Sequence, residues 1–423
     1  MAEGSTKRVL LLDLGFYAVC LTFAAASAVW SEFYGYRVWG NLATAAYLFG
    51  VLHAVWLMID SREHTGFLTR LRSRWTPLAA VMVLGMLVPL AILVVRRLTG
   101  VDWLITPISW AAQPEVWVIE RSADLLLHTG TPYVDVNTLG RAVEVNDYTP
   151  YGPVMAIFGL PRAIFGGGAL TDARLYFALA AALCVVAALK ILGAPKIPVR
   201  AAQLAVACPL TALTFAVAGP DLAIIGALIL AGALAARHRP EWATVVLAVV
   251  TSMKLTALPA VGVIAFLVLA TGGARVFARC AAIFVAVCLA LNVPVLLVDP
   301  DAYIEHVIRF WLGMGKISSP AASPFPGHLI AESGPAGHAV ALGLLGVAAV
   351  TILAWLVRRP PTTGSDAMMR AAVSLGAAAL LTPATRFGYL VYPLTLFGAA
   401  LTFSVAEQEP ARSATDEPRR SAM

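Results

Sequence analysis

The chain has 423 residues, 60% hydrophobic and only 13% charged, with a mean hydropathy of +0.81. That composition excludes a soluble globular domain, and Leu-, Ala- and Val-rich runs of about 20 residues without strict alternation exclude a membrane β-barrel. The formal charge of +6 does not call for a nucleic-acid partner, because the Lys and Arg residues gather in short loops and tails that fit on one side of a membrane.

The first apolar run follows Lys7 and Arg8, is interrupted by Asp13, and has no small-x-small cleavage site before the next run. It reads as a retained helix rather than a signal peptide. Apolar runs and basic loops together predict an all-α polytopic membrane protein of about twelve spans, near residues 11–30, 37–59, 76–97, 168–193, 200–217, 221–237, 241–257, 258–271, 277–297, 336–358, 368–384 and 387–405. Loops bearing Arg62, Arg70, Arg72 and Arg74, then Lys190, Lys196 and Arg200, Arg237 and Arg239, Arg275 and Arg279, and Arg358, Arg359 and Arg370 fall on one face with both termini. That face is expected to be cytoplasmic.

The piece TPYGPVMAIFGLPRAIFGGG would invert every later basic loop if it crossed, and it is short and rich in Pro and Gly. A re-entrant or interfacial helix is therefore expected there. The chain divides into two N-terminal helices with a basic loop (1–75), a core (76–297) containing a first outer loop (98–167), a second outer loop (298–335), C-terminal helices (336–405) and a polar tail (406–423) expected to be disordered. The outer loops hold Asp102, Glu115, Glu120, Asp124, Glu305 and Glu332. Cys20, Cys184, Cys208, Cys280 and Cys288 all lie in apolar runs without a CxxC pair, so neither a disulfide nor a thiolate metal site is expected.

Read as a helix, QPEVWVIERSADLLLHTG puts Val116, Ile119, Ala123, Leu126 and Leu127 on one side, with Glu120, Asp124 and His128 at i, i+4 and i+8 on another. The second set reads as the wet face of a helix lying along the membrane surface. Glu115 follows Pro114 at the helix start, where the dipole favours a carboxylate; it is either a cap or a catalytic group. Asp221 in AVAGPDLAI sits between two spans as a turn-former, a cap or a functional acid. Lys254 in VVTSMKLTALP is a cation in an apolar segment, costly by a few kcal/mol unless paired or snorkelling, so function is favoured. Arg386 in LLTPATRFGYLVYP lies beside Tyr389 and Tyr392 as an anchor or a ligand. His328, with Glu332 in PFPGHLIAES, is a lone loop histidine, a type more often structural. No GxxxxGK[ST], GxGxxG or HExxH motif occurs, and Asp299 and Asp301 lack neighbouring ligands. No cofactor and no divalent metal are expected.

These features resemble the GT-C superfamily of membrane glycosyltransferases, and within it family 87, the polyprenyl-phosphate-mannose-dependent mannosyltransferases of actinobacteria. The resemblance runs over residues 98–405. An acidic residue, hydrophobics and a helix ending in Gly before Pro-Tyr appear as Glu115, Val116, Val118, Leu125, Leu126, Gly130, Pro132 and Tyr133. A Tyr-Pro-Pro segment is similar to YTPYGPVMAIFGLP, with Tyr148 and Tyr151. A Gly-Gln turn is matched by Gly219, Pro220 and Asp221, a Lys-x-x-Pro region by KLTALP from Lys254, a Ser/Gly loop by SSPAASPFPG, and the closing segment by TPATRFGY. Departures include Glu115 for Asp, Ile119 for Tyr and Pro220 for Gln, and they bear on sugar and acceptor more than on fold.

The resemblance implies a GT-C-like bundle with short interfacial helices in an extracytoplasmic loop, working in a bacterial plasma membrane. It implies inverting transfer of a sugar, mannose first and arabinofuranose or glucose next, from a polyprenyl phosphate to a glycolipid or glycan hydroxyl. Glu115 would be the base, Lys254 and Arg386 would hold the donor phosphate, and Asp221, Tyr148, Tyr151, His328 and Tyr389 would bind substrate. Membrane lipids are the remaining partners. The competing readings are a transporter or flippase of a lipid-linked sugar or other anionic lipid, and a non-enzymatic scaffold. A transporter does not explain the long outer loop 98–167 with its amphipathic helix.

Overall fold

A computed structural model describes residues 2–60, 66–99, 111–310, 313–317 and 319–415; Arg62 and Asp102 fall outside them. The fold is helical throughout, as expected where lipid offers the backbone no hydrogen-bond partner. Among the described residues the β-structure is a single parallel bridge between Ala322 and Thr385.

The long elements are α1 (Ala2–Trp30), α2 (Tyr34–Ile59), α3 (Thr76–Leu98), α4 (Pro114–Thr129), α5 (Ala173–Ile191), α6 (Val199–Ala207 and Pro209–Val217, bent by 41°), α7 (Pro220–Ala236), α8 (Pro240–Thr251), α9 (Leu258–Val298), α10 (Pro335–Arg358), α11 (Gly364–Leu381) and α12 (Val391–Thr415). Seven of the described helices are long and apolar enough to cross a membrane, and an eighth if bent α6 counts as one span. The difference from twelve has local causes. Segments 258–271 and 277–297 are two helices that meet at a kink at Gly273 and are taken together as α9. Helices α7 and α8 have 17 and 12 residues: α8 ends before Lys254, and α7 is enclosed by protein on nearly all sides. Helix α11 carries Asp366 and Arg370. The Pro- and Gly-rich piece forms a short apolar helix, Pro153–Phe165, packed on α4.

Two apolar cores form. One joins α1, α2, α3 and α6. The other gathers α5, α7, α8, α9, α11 and α12 around the buried side of α4. Asp13 is only 3% exposed; it accepts from Arg74 Nε and Nη2 at 2.5 and 2.8 Å and also from Arg200 and Gln203. This ionic cluster ties α1 to the start of α3. A second surrounds Arg97 at the other end of the same helix, whose 23 residues separate the two by about 34 Å at the helical rise. At the C-terminus, helix α12 continues to Thr415, past the expected start of a disordered tail; 416–423 lie outside the described residues.

Candidate active site

The start of α4 is fixed before its side chains act. The Gln113 N–H donates to Val217 O of α6 at 2.8 Å, and Pro114 takes the first helical position, where no N–H is required. Glu115 follows in the first turn, where the helix dipole favours its charge. Arg386 Nη1 donates to Glu115 Oε1 at 2.5 Å. The pair is only partly shielded, with side-chain exposures of 40% for Arg386 and 22% for Glu115. The second carboxylate oxygen, Oε2, is buried and has no hydrogen-bond partner among the described residues.

Arg386 is itself held by the second outer loop. Thr385 N–H donates to Ala321 O, Ser323 N–H to Thr385 O, and Phe387 N–H to Ser323 Oγ, at 2.8–3.1 Å. The backbone on both sides of the guanidinium is thus clamped by residues 321–323.

A second ion pair lies beside the first. Gly219 turns the chain between α6 and α7 with φ +96°, a conformation that costs glycine little, and Pro220 then starts α7 with Asp221 in its first turn. Lys254 Nζ donates to Asp221 Oδ1 at 2.6 Å, and the Tyr392 hydroxyl donates to the same oxygen at 2.7 Å. The ammonium lies 5.5 Å from the Tyr151 ring centre and 5.1 Å from that of Tyr389, a cation–π arrangement.

Lys254 reaches this place because the helix stops short of it. Its backbone is extended, and the freed carbonyls of Ser252 and Met253 accept N–H groups from Val154 and Gly152 at 3.2 and 2.8 Å. Irregular backbone at membrane depth survives where protein satisfies it in this way. Gly152 is required for the approach, since a Cβ there would come within 2.2 Å of Ser252 O. The two ion pairs form one electrostatic unit, with Glu115 acting through space on Lys254 and Tyr151.

Of the eight residues singled out from the sequence, the structure assembles Glu115, Tyr151, Asp221, Lys254, Arg386 and Tyr389. It sends Tyr148 and His328 elsewhere. The Tyr148 hydroxyl donates to Glu305 Oε1 at 2.7 Å, accepts the Lys316 N–H at 2.9 Å, and its ring stacks on Phe310. Burial and then the Glu305 bond push its pKa up to about 12. His328 Nδ1 lies 2.9 Å from Pro383 O and Nε2 3.0 Å from Glu332, pinning the loop helix Pro326–Ala331 to the end of α11.

The expected wet face also needs correction. Asp124 and His128 are exposed, but Glu120 is 4% exposed and carries two arginines. Arg97 binds its Oε1 and Oε2 at 2.9 and 2.5 Å, Arg162 lies 3.3 Å away, and the Ala173 N–H donates to Oε1 at 3.1 Å. Asp172 joins through Arg97 at 3.0 Å and Arg174 at 2.8 Å. Helical spacing shows which residues share a face, not what that face meets. Tyr36 and Gln113 are the other residues missed: Gln113 Nε2 donates to the Tyr36 hydroxyl beside Glu115. The one available signal was Gln113 directly preceding Pro-Glu. Among the described residues no group of three or more His, Cys, Asp and Glu side chains could hold a metal ion.

Fold and site define a polytopic membrane protein whose loops bring two carboxylates and two cations to one place. The model of glycosyltransferase family 87 matches residues 148–383, more than half the chain. The chain belongs to glycosyltransferase family 87, and it is accordingly a membrane glycosyltransferase rather than a transporter or scaffold. The matched stretch contains Tyr151, Asp221 and Lys254; Glu115 precedes it and Arg386 and Tyr389 follow it. No curated protein and no solved structure matches the chain.

Proposed function

We propose that this glycosyltransferase moves a sugar, mannose foremost, from a polyprenyl-phosphate donor to a hydroxyl of a glycolipid or glycan, with inversion, at the extracytoplasmic face of a bacterial plasma membrane. Both termini would then be cytoplasmic, in keeping with the basic loops. The observation that carries the reading is Glu115: one oxygen is held by Arg386 and the other is buried without a partner.

Oε2 would take the proton from the acceptor hydroxyl as its oxygen attacks the anomeric carbon opposite the phosphate. The bond from that carbon to the phosphate oxygen breaks, and polyprenyl phosphate departs with one more negative charge. Lys254 and Arg386 neutralise that charge. Each cation is paired in the resting arrangement, with Asp221 and Glu115 respectively. Donor phosphate therefore competes with Glu115 for Arg386. Tyr151 and Tyr389, already facing the Lys254 ammonium, would line the donor sugar. Tyr148 and His328, committed to loop contacts, are left to hold the outer loops.

The test is turnover by purified protein with polyprenyl-phospho-mannose and a panel of glycolipid and alkyl glycoside acceptors, beside Glu115→Gln. Loss of transfer in the variant with an intact fold is expected. Equal turnover by the two proteins would remove Glu115 as the base, and activity only with another polyprenyl-phospho-sugar would replace mannose.

A further inference from the structure

The two leading helices α1 and α2 lie before the matched stretch 148–383, yet one of their side chains reaches the Glu115 corner. Tyr36 is the third residue of α2. Its hydroxyl oxygen accepts from Gln113 Nε2, and the Gln113 main chain is fixed on α6. The charges of Glu115 and Arg386 both act on the phenol. With its oxygen already accepting, the Tyr36 hydroxyl retains a proton for which no acceptor exists among the described residues. Tyr47, farther along α2, differs: its hydroxyl donates to Ala207 O at 2.8 Å and serves packing alone. At the α2 start, the Arg96 guanidinium over the Tyr34 ring, 5.9 Å from its centre, steadies the turn that presents Tyr36. The neighbouring ion pair is partly exposed, at 40% for Arg386 and 22% for Glu115.

We propose that Tyr36 is an acceptor-positioning residue, donating a hydrogen bond to an acceptor-sugar oxygen next to the hydroxyl that Glu115 deprotonates. The N-terminal helix pair thereby contributes to acceptor selection. Chemistry separates acceptor from donor here. A neutral hydroxyl donor suits an uncharged polyhydroxyl ligand, whereas the anionic phosphate is matched by Lys254 and Arg386. The inference rests on the reaction proposed above.

The experiment compares native protein, Tyr36→Phe and Glu115→Gln in binding of an alkyl mannoside in the presence of polyprenyl phosphate, and in transfer from polyprenyl-phospho-mannose to that mannoside. Tyr36→Phe keeps the ring and should keep the native Tm. The alkyl mannoside Kd and KM should rise about tenfold, the loss of one hydrogen bond, with donor KM and kcat changed less than about twofold. An unchanged mannoside Kd overturns the proposal, as does a native protein that binds no mannoside. A fall in kcat with acceptor KM unmoved also overturns it, since that result reports only a loosened Gln113. Retained transfer by Glu115→Gln is a separate failure, of the proposed base, and leaves the Tyr36 binding result standing.

Discussion

Helix α4 carries three acids, Glu115, Glu120 and Asp124, in three different environments, and the contrast between the first two separates a reactive group from a structural one. Every oxygen of Glu120 is engaged by arginine, and Arg174, the far member of that network, is fully buried with its nitrogens on Asp172, Ala111 O and Ala216 O. Glu120 has no oxygen left for a ligand. Glu115, five residues earlier, has one oxygen paired at a partly exposed ion pair and one unpaired. Charge and an arginine partner are common to both acids; burial and saturation are what differ.

The largest effect that would break this comparison is expected at Glu120. Glu120→Ala leaves Arg97 buried opposite a hole, and removing one partner of a buried ion pair costs about 3–5 kcal/mol. The protein should fail to give a monodisperse peak in detergent, and a native-like Tm would show that the network is dispensable. Glu115→Gln should show the opposite pattern. Its Tm should stay near native while kcat falls about 10²–10⁴-fold, the usual contribution of a general base. Loss of fold in Glu115→Gln, or loss of activity alone in Glu120→Ala, would erase the distinction.

The candidate site was legible in the sequence where charge stood out against an apolar background. Lys254, Asp221 and Arg386 are conspicuous there because a lone ionised group in lipid is costly. Glu120 was misread because its partners Arg97, Arg162 and the Ala173 N–H lie in α3, in the Pro153–Phe165 helix and at the start of α5, beyond the reach of any local pattern. Tyr148 and Tyr151 stand three residues apart in one quoted motif yet serve different clusters, since the segment between them is not helical and rotates them apart. The first outer loop was legible as a loop, but its docking on the Ser252–Met253 carbonyls was not, because nothing local reveals that α8 stops at Thr251. The count of twelve spans is not confirmed among the described residues, because α7 and α8, at 17 and 12 residues, are shorter than a full crossing and α9 runs through the kink at Gly273.

His306 gives a smaller effect that sharpens the distinction. It is fully buried, its Nδ1 accepts the Thr149 N–H at 2.8 Å, and Nε2 must donate to Val134 O at 2.8 Å, so the neutral ring is built in. Burial, with Arg121 adding to it against Glu305 and Asp147, lowers its pKa from 6.5 to about 4. The unfolded chain therefore binds a proton near pH 6.5 that the folded chain refuses until about pH 4. Its contribution to stability is complete above pH 6.5 and is lost as pH falls toward 4. Tm measured across that window should fall in native protein and fall less in His306→Asn. Turnover of folded protein should show no step from this group, because a saturated histidine does not face substrate.

The smallest effect belongs to Asp124, the third acid of α4. It faces His128 at 3.4 Å with both side chains mostly exposed, at 60% and 70%, and exposed pairs of this kind contribute little because water and salt screen them. Asp124→Asn should leave Tm and kcat within experimental scatter of native protein at moderate salt. Its value lies in sharing helix, charge and chemistry with Glu115 and Glu120 while lacking both the burial of Glu120 and the arginine partner of Glu115. If Asp124→Asn instead lowered kcat as Glu115→Gln does, loss of any α4 carboxylate would be enough to slow transfer. The unpaired oxygen of Glu115 would then no longer identify the base.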